Sequence, residues 1–554
     1  MSIQNIKIKK HTLFYSKKET WWLIGFSMIL AGGVLAEPQI LTSFLIDGDL
    51  SGMWLIWTIL IGIAFGKVFF AHLWHRLPLK TENELILFRF SGKGAKYLHI
   101  FRSIYVGAVV APLSLSMAFL AFGRVLSDIS GISLQQAIWI TLGYITIGTF
   151  FNSLRERLRF DFVFFIIFIA SLVFILFSLN NSLGSYVDIS NAISSSKLSF
   201  KLFPDVKSTG FSAFLVFILI QWWSANIIDL PSMTGQKLMA AQNQRTIVQS
   251  IILPQILFAV FFIAISSIPF YILLIEPSAL HGISGEAAFL KIFTHSLHGA
   301  SRWVVLLFFL MPFTAITQNY QNWSGSLLVQ NLYKHHINPH ATDNALRHVG
   351  IAVMIFIVSA AAIIALFNSS IVSVVKYIFT ITAGVGPVFI LRWYWHRINA
   401  WTQLTAMVVS LVYPTLFDAA YNNIPAFNLL LSQLMHTLNM EYYPLKIILL
   451  TILVCLTWIT VMYSTNPTAI STLEKYVTAV KPGGVWPFAN AGRIMLVPRL
   501  ALALLLSTSS VLNFVVLWQF VTGFYTQAVM LFCISIIILI LAYHLMKKVN
   551  LQNG

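Results

Sequence analysis

Charge is scarce in this sequence. Only 10% of its 554 residues are Asp, Glu, Lys or Arg, against about 25% in a soluble domain. That shortage excludes a water-soluble enzyme of this length and a disordered chain. Cysteine is rarer still. Cys455 and Cys533 both lie inside apolar runs, which excludes a disulfide scaffold and leaves no metal spacing. Acids are outnumbered, 18 against 35 Lys and Arg, for a formal net charge of +17. No basic stretch is long enough to form a separate domain, so nucleic acid is not an expected partner. Phosphate-binding loops, nucleophile elbows and kinase signatures are also missing, so no enzyme is expected.

What is present is apolar: 58% hydrophobic residues and a mean hydropathy of +0.81. The expected class is an all-α polytopic membrane protein. Runs long enough to span a bilayer fall at 21–45, 52–73, 100–124, 133–151, 161–179, 210–230, 246–275, 300–330, 346–367, 371–391, 400–417, 445–464, 496–518 and 524–546. About 14 transmembrane helices result. The connections on the N-terminal side carry Arg76, Lys80, Arg89, Lys93, Lys96, Arg155, Arg157, Arg159, Lys237, Arg245, Lys334, Arg392, Arg397, Lys475, Lys481, Arg493, Lys547 and Lys548. Those on the other side are poorer in Lys and Arg, and the first carries Asp47 and Asp49. The positive-inside rule then puts both termini in the cytoplasm of an inner-membrane protein. The first apolar segment reads as a retained signal-anchor. Two long opposite-side loops are expected near 180–209 and 418–444. The whole chain reads as a single transmembrane domain. Its parts are a cytoplasmic N-terminus (1–20), a ten-helix core (21–391), accessory helices (392–546) and a cytoplasmic tail (547–554).

Two spans carry helix-breaking residues. Span 1 holds Ala31-Gly32-Gly33 and Glu37-Pro38, and span 6 holds Trp222-Trp223-Ser224-Ala225-Asn226 followed by Asp229-Leu230-Pro231 and Gly235. Freed backbone groups survive in a bilayer only where protein or a watery cavity satisfies them. Spans 1 and 6 lie five apart, as the first members of two five-helix halves would, and paired interruptions of that kind point to a transporter's binding site. Taken singly, the glycines read more readily as packing notches and the proline as a simple kink. Glu37 is either an acid near mid-membrane, functional by default, or a residue of an outer vestibule. Span 8 carries Thr314, Thr317, Gln318, Asn319, Tyr320, Gln321 and Asn322 in one polar stretch, which either packs against other helices or lines an aqueous path. Lys376 is expected to snorkel to the outer interface. His335, His336, His340 and His348 fall in a cytoplasmic loop with no standard ligand spacing, so no metal is expected.

Several stretches resemble bacterial sodium:solute symporters. Gly386-Pro387 followed by Leu391-Arg392-Trp393-Tyr394-Trp395-His396-Arg397-Ile398-Asn399-Ala400-Trp401 is the most specific. Thr465-Asn466-Pro467-Thr468, Leu473 and Lys481-Pro482-Gly483-Gly484-Val485-Trp486-Pro487 are similar to the family's late cytoplasmic loop. Trp21 to Met28, Arg89-Phe90-Ser91-Gly92-Lys93, and Asn322-Trp323-Ser324-Gly325-Ser326 with Leu328-Val329 also match, in order along the chain. The resemblance implies a LeuT-like core of five plus five inverted helices with extra C-terminal helices. It implies sodium-coupled uptake of a small organic solute, with no other cofactor. Carried onto this sequence, the ion ligands would be the carbonyls of Leu30, Gly33 and Pro312. The family's two adjacent hydroxyls in span 8 fall on Ala315 and Ile316, with Thr314 and Thr317 flanking them. Span 6 departs as well, at Ser232-Met233-Thr234-Gly235 and Gln236-Lys237.

The expected function is secondary transport of a small solute by alternating access. The coupling ion is left open between Na+, H+ and none. Glu37, Gln39, Trp223 and Asn226 are the candidate substrate and coupling residues. The alternative from another class is a non-transporting paralogue acting as a membrane sensor or assembly partner. A channel is the third reading.

Overall fold

The structure is a computed structural model. It describes residues 19–30, 35–47, 50–79, 81–149, 154–183, 201–224, 229, 233–243, 245–247, 249–250, 253–254, 257, 285–286, 289, 299–488, 496–521 and 524–551. Among them the regular elements are all helices, apart from two isolated bridges, Glu19 with Ala241 and Trp395 with Val485. Among the described residues nine helices are long and apolar enough to cross a membrane, and ten if one bent pair counts as a span. The protein is therefore an all-α polytopic membrane protein.

The order of elements follows the apolar runs. Span 1 is α1 (Trp21–Leu30) and α2 (Glu37–Asp47), followed by α3 (Trp54–Arg76). A short α4 (Glu84–Arg89) precedes α5 (Gly92–Ile104), which runs through a π-helical turn at Tyr105–Val110 into α6 (Ala111–Ser130). Gly131, at φ +74°, closes α6 in the left-handed region that glycine enters without strain. Next come α7 (Leu134–Thr149) and α8 (Leu154–Leu183). Span 6 is α9 (Thr209–Val216, continuing through Phe217–Gln221 to Trp222–Ser224) and α10 (Met233–Ala240). Span 8 is α11 (Ala300–Gly325), extended as a π-helix over Ser326–Ile337.

The remaining elements are α12 (Asp343–Leu366), α13 (Ile371–Thr382), α14 (Gly386–Tyr394), α15 (Ala400–Asn423), α16 (Pro425–Thr437), α17 (Tyr442–Ser464), α18 (Ile470–Val480), α19 (Leu496–Val521) and α20 (Tyr525–Leu551). Polar N-caps start three of them. Thr342 accepts from Ala345 N, Ser370 from Ser373 N and Asn399 from Thr402 N, each satisfying an amide that the first turn leaves open. The α13–α14 pair bends by 47° at Gly384, whose φ is +79°.

Spans 1 and 6 are both interrupted. Described residues between their halves, Leu35 and Ala36 in one and Asp229 in the other, lie in turns. The expected loop at 418–444 is largely helical instead, because α15 runs to Asn423 and Pro425 opens α16, a position where its missing N–H costs nothing. The histidine loop is corrected too: His335 and His336 sit on the helical extension of α11. The main apolar core gathers α2, α3, α6, α7, α8, α11, α12 and α13. The outer faces of α19 and α20 expose Leu504, Val529, Ile537 and Leu541, as lipid-facing helices should.

Candidate functional site

The site is built around α11. Its polar stretch does not form one face: it is buried on almost every side, and its residues reach several different neighbours. Thr314 donates to Leu310 O at 2.7 Å and lies 3.1 Å from the Tyr144 hydroxyl of α7. Gln321 donates to Thr149 Oγ1 of the same helix at 2.7 Å. Asn322 Oδ1 accepts from Gln236 of α10 at 2.8 Å. Trp323 Nε1 donates to Glu82 at 3.0 Å, and Ser324 donates to Gly107 O in the α5–α6 turn. A buried polar group without a partner costs about 1–3 kcal/mol, so this distribution makes α11 the hub of the bundle.

One contact holds an acid. Asp161 lies on α8, about two turns from its start, and is 1% exposed. Ser27 of α1 donates its hydroxyl to Asp161 Oδ2, and Asn319 Nδ2 of α11 donates to the same oxygen at 3.2 Å. Asn319 also donates to Ala315 O of its own helix at 2.7 Å. Lys237 of α10, 2% exposed, donates to Ser27 O at 3.0 Å and acts electrostatically on Asp161. Asp161 Oδ1 has no hydrogen-bond partner. Arg157 stands one turn before Asp161, on the same face of α8, and donates to Gln318 O at 2.5 Å. Both halves of the chain thus converge on one carboxylate, an acid and an ammonium facing the same serine.

The sequence reading missed this cluster. It counted Lys237, Arg157, Arg89 and Arg392 as connection charges, yet all four are buried. The positive-inside rule reads position along the chain and is blind to burial. The available signal was Asp161 itself, an acid that opens the apolar run defining span 5.

The expected site residues are placed as follows. Leu30 ends α1 and is buried, whereas Gly33 and Asn226 lie outside the described residues. Pro312 is inside α11 and buried. Thr317 is buried and its hydroxyl has no partner. Ala315 and Ile316 are buried and offer no side-chain oxygen. Glu37 is the first residue of α2, half-buried; its carboxyl rests against the amides of Leu35, Ala36 and its own residue, and Oε2 has no hydrogen-bond partner. Gln39 donates to Ala121 O of α6 at 3.0 Å, leaving its own oxygen without a partner. Trp223 is half-buried and donates to Leu219 O of its own helix. Lys376 lies 5.4 Å from the Tyr443 ring centre. His335 and His336 pack on His99, with His99 Nδ1 2.8 Å from His336 Nε2.

The tryptophan-rich motif forms a second layer at the end of the bundle where α3 finishes. Arg392 reaches Asp229 Oδ2 through Nε at 3.0 Å and Nη2 at 2.6 Å, and Trp393 Nε1 donates to the same oxygen at 2.8 Å. Trp74 Nε1 donates to Asp229 O at 2.6 Å. The Lys-Pro-Gly-Gly stretch closes on this motif: Val485 N donates to Tyr394 O at 2.7 Å and His396 N to Val485 O at 3.1 Å. Beneath it, Arg89 donates to Arg392 O at 2.9 Å and lies 5.0 Å from the Trp486 ring centre. Burial lowers the Arg89 guanidinium to about 10, so it stays charged near neutral pH.

Interrupted helices, an acid held between them and a multi-pass all-helical body define a membrane transporter. The model of the sodium:solute symporter family matches residues 43–410. The chain belongs to the sodium:solute symporter family, which is a family of transporters and not of enzymes. A solved Na+-coupled sialic acid symporter, in a substrate-bound outward-open state, is similar in fold at a TM-score of 0.61 and 12% identity, over 84% of this chain and 94% of that one. A manganese transporter of Eremococcus coleocola, solved as a mutant, aligns over 92% of this chain and 99% of that one, at 12% identity and a TM-score of 0.38, too loose to carry a fold assignment. No curated protein sequence matches the chain.

Proposed function

We propose that this protein is a secondary active carrier that moves a small organic solute by alternating access about the interruptions in spans 1 and 6. In this reading fourteen spans form a core of five plus five inverted helices (21–391) and accessory helices (392–546), with both termini cytoplasmic in an inner membrane. Glu37, Gln39, Trp223 and Asn226 face the solute. Leu30, Gly33, Pro312, Thr314 and Thr317 surround the neighbouring ion position, and Glu37 adds negative charge at the α2 N-terminus.

The observation that carries the coupling reading is Lys237 acting on Asp161 at the junction of α1, α8, α10 and α11. Sodium prefers several hard oxygens, and two of the expected donors are the apolar Ala315 and Ile316. A lysine ammonium is a positive charge already tethered to the protein. The carrier therefore exchanges a proton at the Lys237–Asp161 pair instead of requiring sodium. Uptake into proteoliposomes, driven by a pH gradient in sodium-free buffer, tests this. Strict dependence on sodium would overturn it.

A permanent Lys237–Asp161 pair favours a second reading, a non-transporting paralogue whose four helices stay clasped. That form binds solute without moving it under any gradient.

A further inference from the structure

Helix α3 packs through Ala64 and Val68 against Leu502, Ala503 and Leu506 of α19; Arg76 ends α3, and Arg499 stands in the first turn of α19. Arg499 is only 4% exposed, yet its Nε and Nη1 have no hydrogen-bond partner. The groups acting on it are the Tyr394 hydroxyl, which shares a hydrogen bond with it, and Arg76, which repels it. His72, buried on α3, feels both Arg499 and Arg76, and His75 feels Arg76. Arg76 itself donates to the carbonyls of Val480 and Lys481 at 3.2 and 3.4 Å.

Acids are missing from both sides of this junction. Trp54 to Arg76 contains no Asp or Glu, and none occurs after Glu474. Asp229, which acts on Tyr394, is committed to Arg392 and Trp393. A buried guanidinium without a counter-charge is expensive in a low-dielectric setting. The neighbours of Arg499 on α19 are apolar and point outward: Leu496, Val497 at 76% exposure, and Leu500. The pattern is a cationic notch at a helix end beside lipid-facing residues.

We propose that this notch binds the phosphate of an anionic phospholipid. Arg499 and Arg76 hold the phosphate oxygens, which a guanidinium matches as a planar fork. The acyl chains lie along Leu496, Val497 and Leu500. Basic pockets between membrane helices bind such headgroups. Only the choice of leaflet, the cytoplasmic one, rests on the orientation proposed above, and binding does not depend on transport.

The test uses the full chain, purified and delipidated in neutral detergent. Phosphatidylglycerol should raise the thermal melting midpoint by about 3 °C or more, and phosphatidylcholine should not. Native mass spectrometry should show phosphatidylglycerol retained on the wild type and at least about tenfold less on Arg499→Gln, with Arg499→Lys keeping part of it. The wild-type measurement stands even where Arg499→Gln fails to fold. Equal retention of both lipids, or unchanged retention by a folded Arg499→Gln, overturns the proposal. Stabilisation by millimolar inorganic phosphate equal to that by the lipid overturns the lipid as the source.

Discussion

Lys237 Nζ lies 3.0 Å from the carbonyl oxygen of Ser27, and the hydroxyl of the same serine donates to Asp161. A single residue of α1 thereby joins a lysine of the broken sixth span to an acid of the fifth. Any movement of α1 against the rest of the bundle must reorganise both contacts, which makes this serine the natural place to read coupling.

Neutralising one member of that pair should cost more than neutralising both. Lys237 and Asp161 meet through Ser27, so each single loss should stay below that of a broken direct pair, about 3–5 kcal/mol. Asp161→Asn and Lys237→Gln alone should each lower the melting midpoint clearly, while the double variant recovers most of it. Thermal unfolding in detergent measures this, and additive losses would remove the electrostatic link. In proteoliposomes Asp161→Asn should abolish the response of uptake to a pH gradient.

Restoring the hydroxyls should change the ion preference. Ala315→Ser with Ile316→Ser places two oxygens on buried positions of α11, at a packing cost of about 2 kcal/mol for the shortened isoleucine. Uptake should become stimulated by sodium at constant pH. Counting sodium-dependent against sodium-free uptake checks it, and an unchanged ratio argues that the ion position lies elsewhere.

The Asp229–Arg392 clasp should be indispensable. Arg392→Gln removes the arginine from a buried carboxylate that Trp393 and Arg392 now hold, so a loss of about 3–5 kcal/mol is expected. Arg392→Lys should rescue little, because one ammonium cannot reproduce the paired Nε and Nη2 contacts. Folded yield and melting midpoint report the outcome.

Gly484 should tolerate no side chain. Its φ is +99°, and an added Cβ would stand 2.2 Å from the backbone oxygen of Tyr394. Backbone cannot step aside as a flexible side chain can. Gly484→Ala should destabilise by about 1–3 kcal/mol from the backbone conformation alone, with the clash added. A variant as stable as the wild type would mean that the strand-like contact between Tyr394 and Val485 is dispensable.

Much of the architecture is legible in the chain. The Gly-Gly and Glu-Pro of span 1 and the polar and proline residues of span 6 mark where α1 gives way to α2 and α9 to α10, because those residue types break helices wherever they occur. The ordered motifs likewise point to the family. The polar stretch of α11 was harder. Read linearly it either packs against other helices or lines an aqueous path, but its seven polar residues from Thr314 to Asn322 span nine positions, about two and a half turns, and so meet several neighbours.

Composition and residue order alone determined that the chain enters a bilayer as many helices, because apolar run length and charge scarcity act locally, before any tertiary contact exists. Only the tertiary structure decided which charges are solvated and which are buried. Lys237, Arg157 and Arg392 stand in segments that read as connections, yet each meets its counterpart across 80 or more positions of chain, with Ser27, Gln318 and Asp229 respectively. Pairing at that separation depends on how helices pack, and no local pattern of residues encodes it.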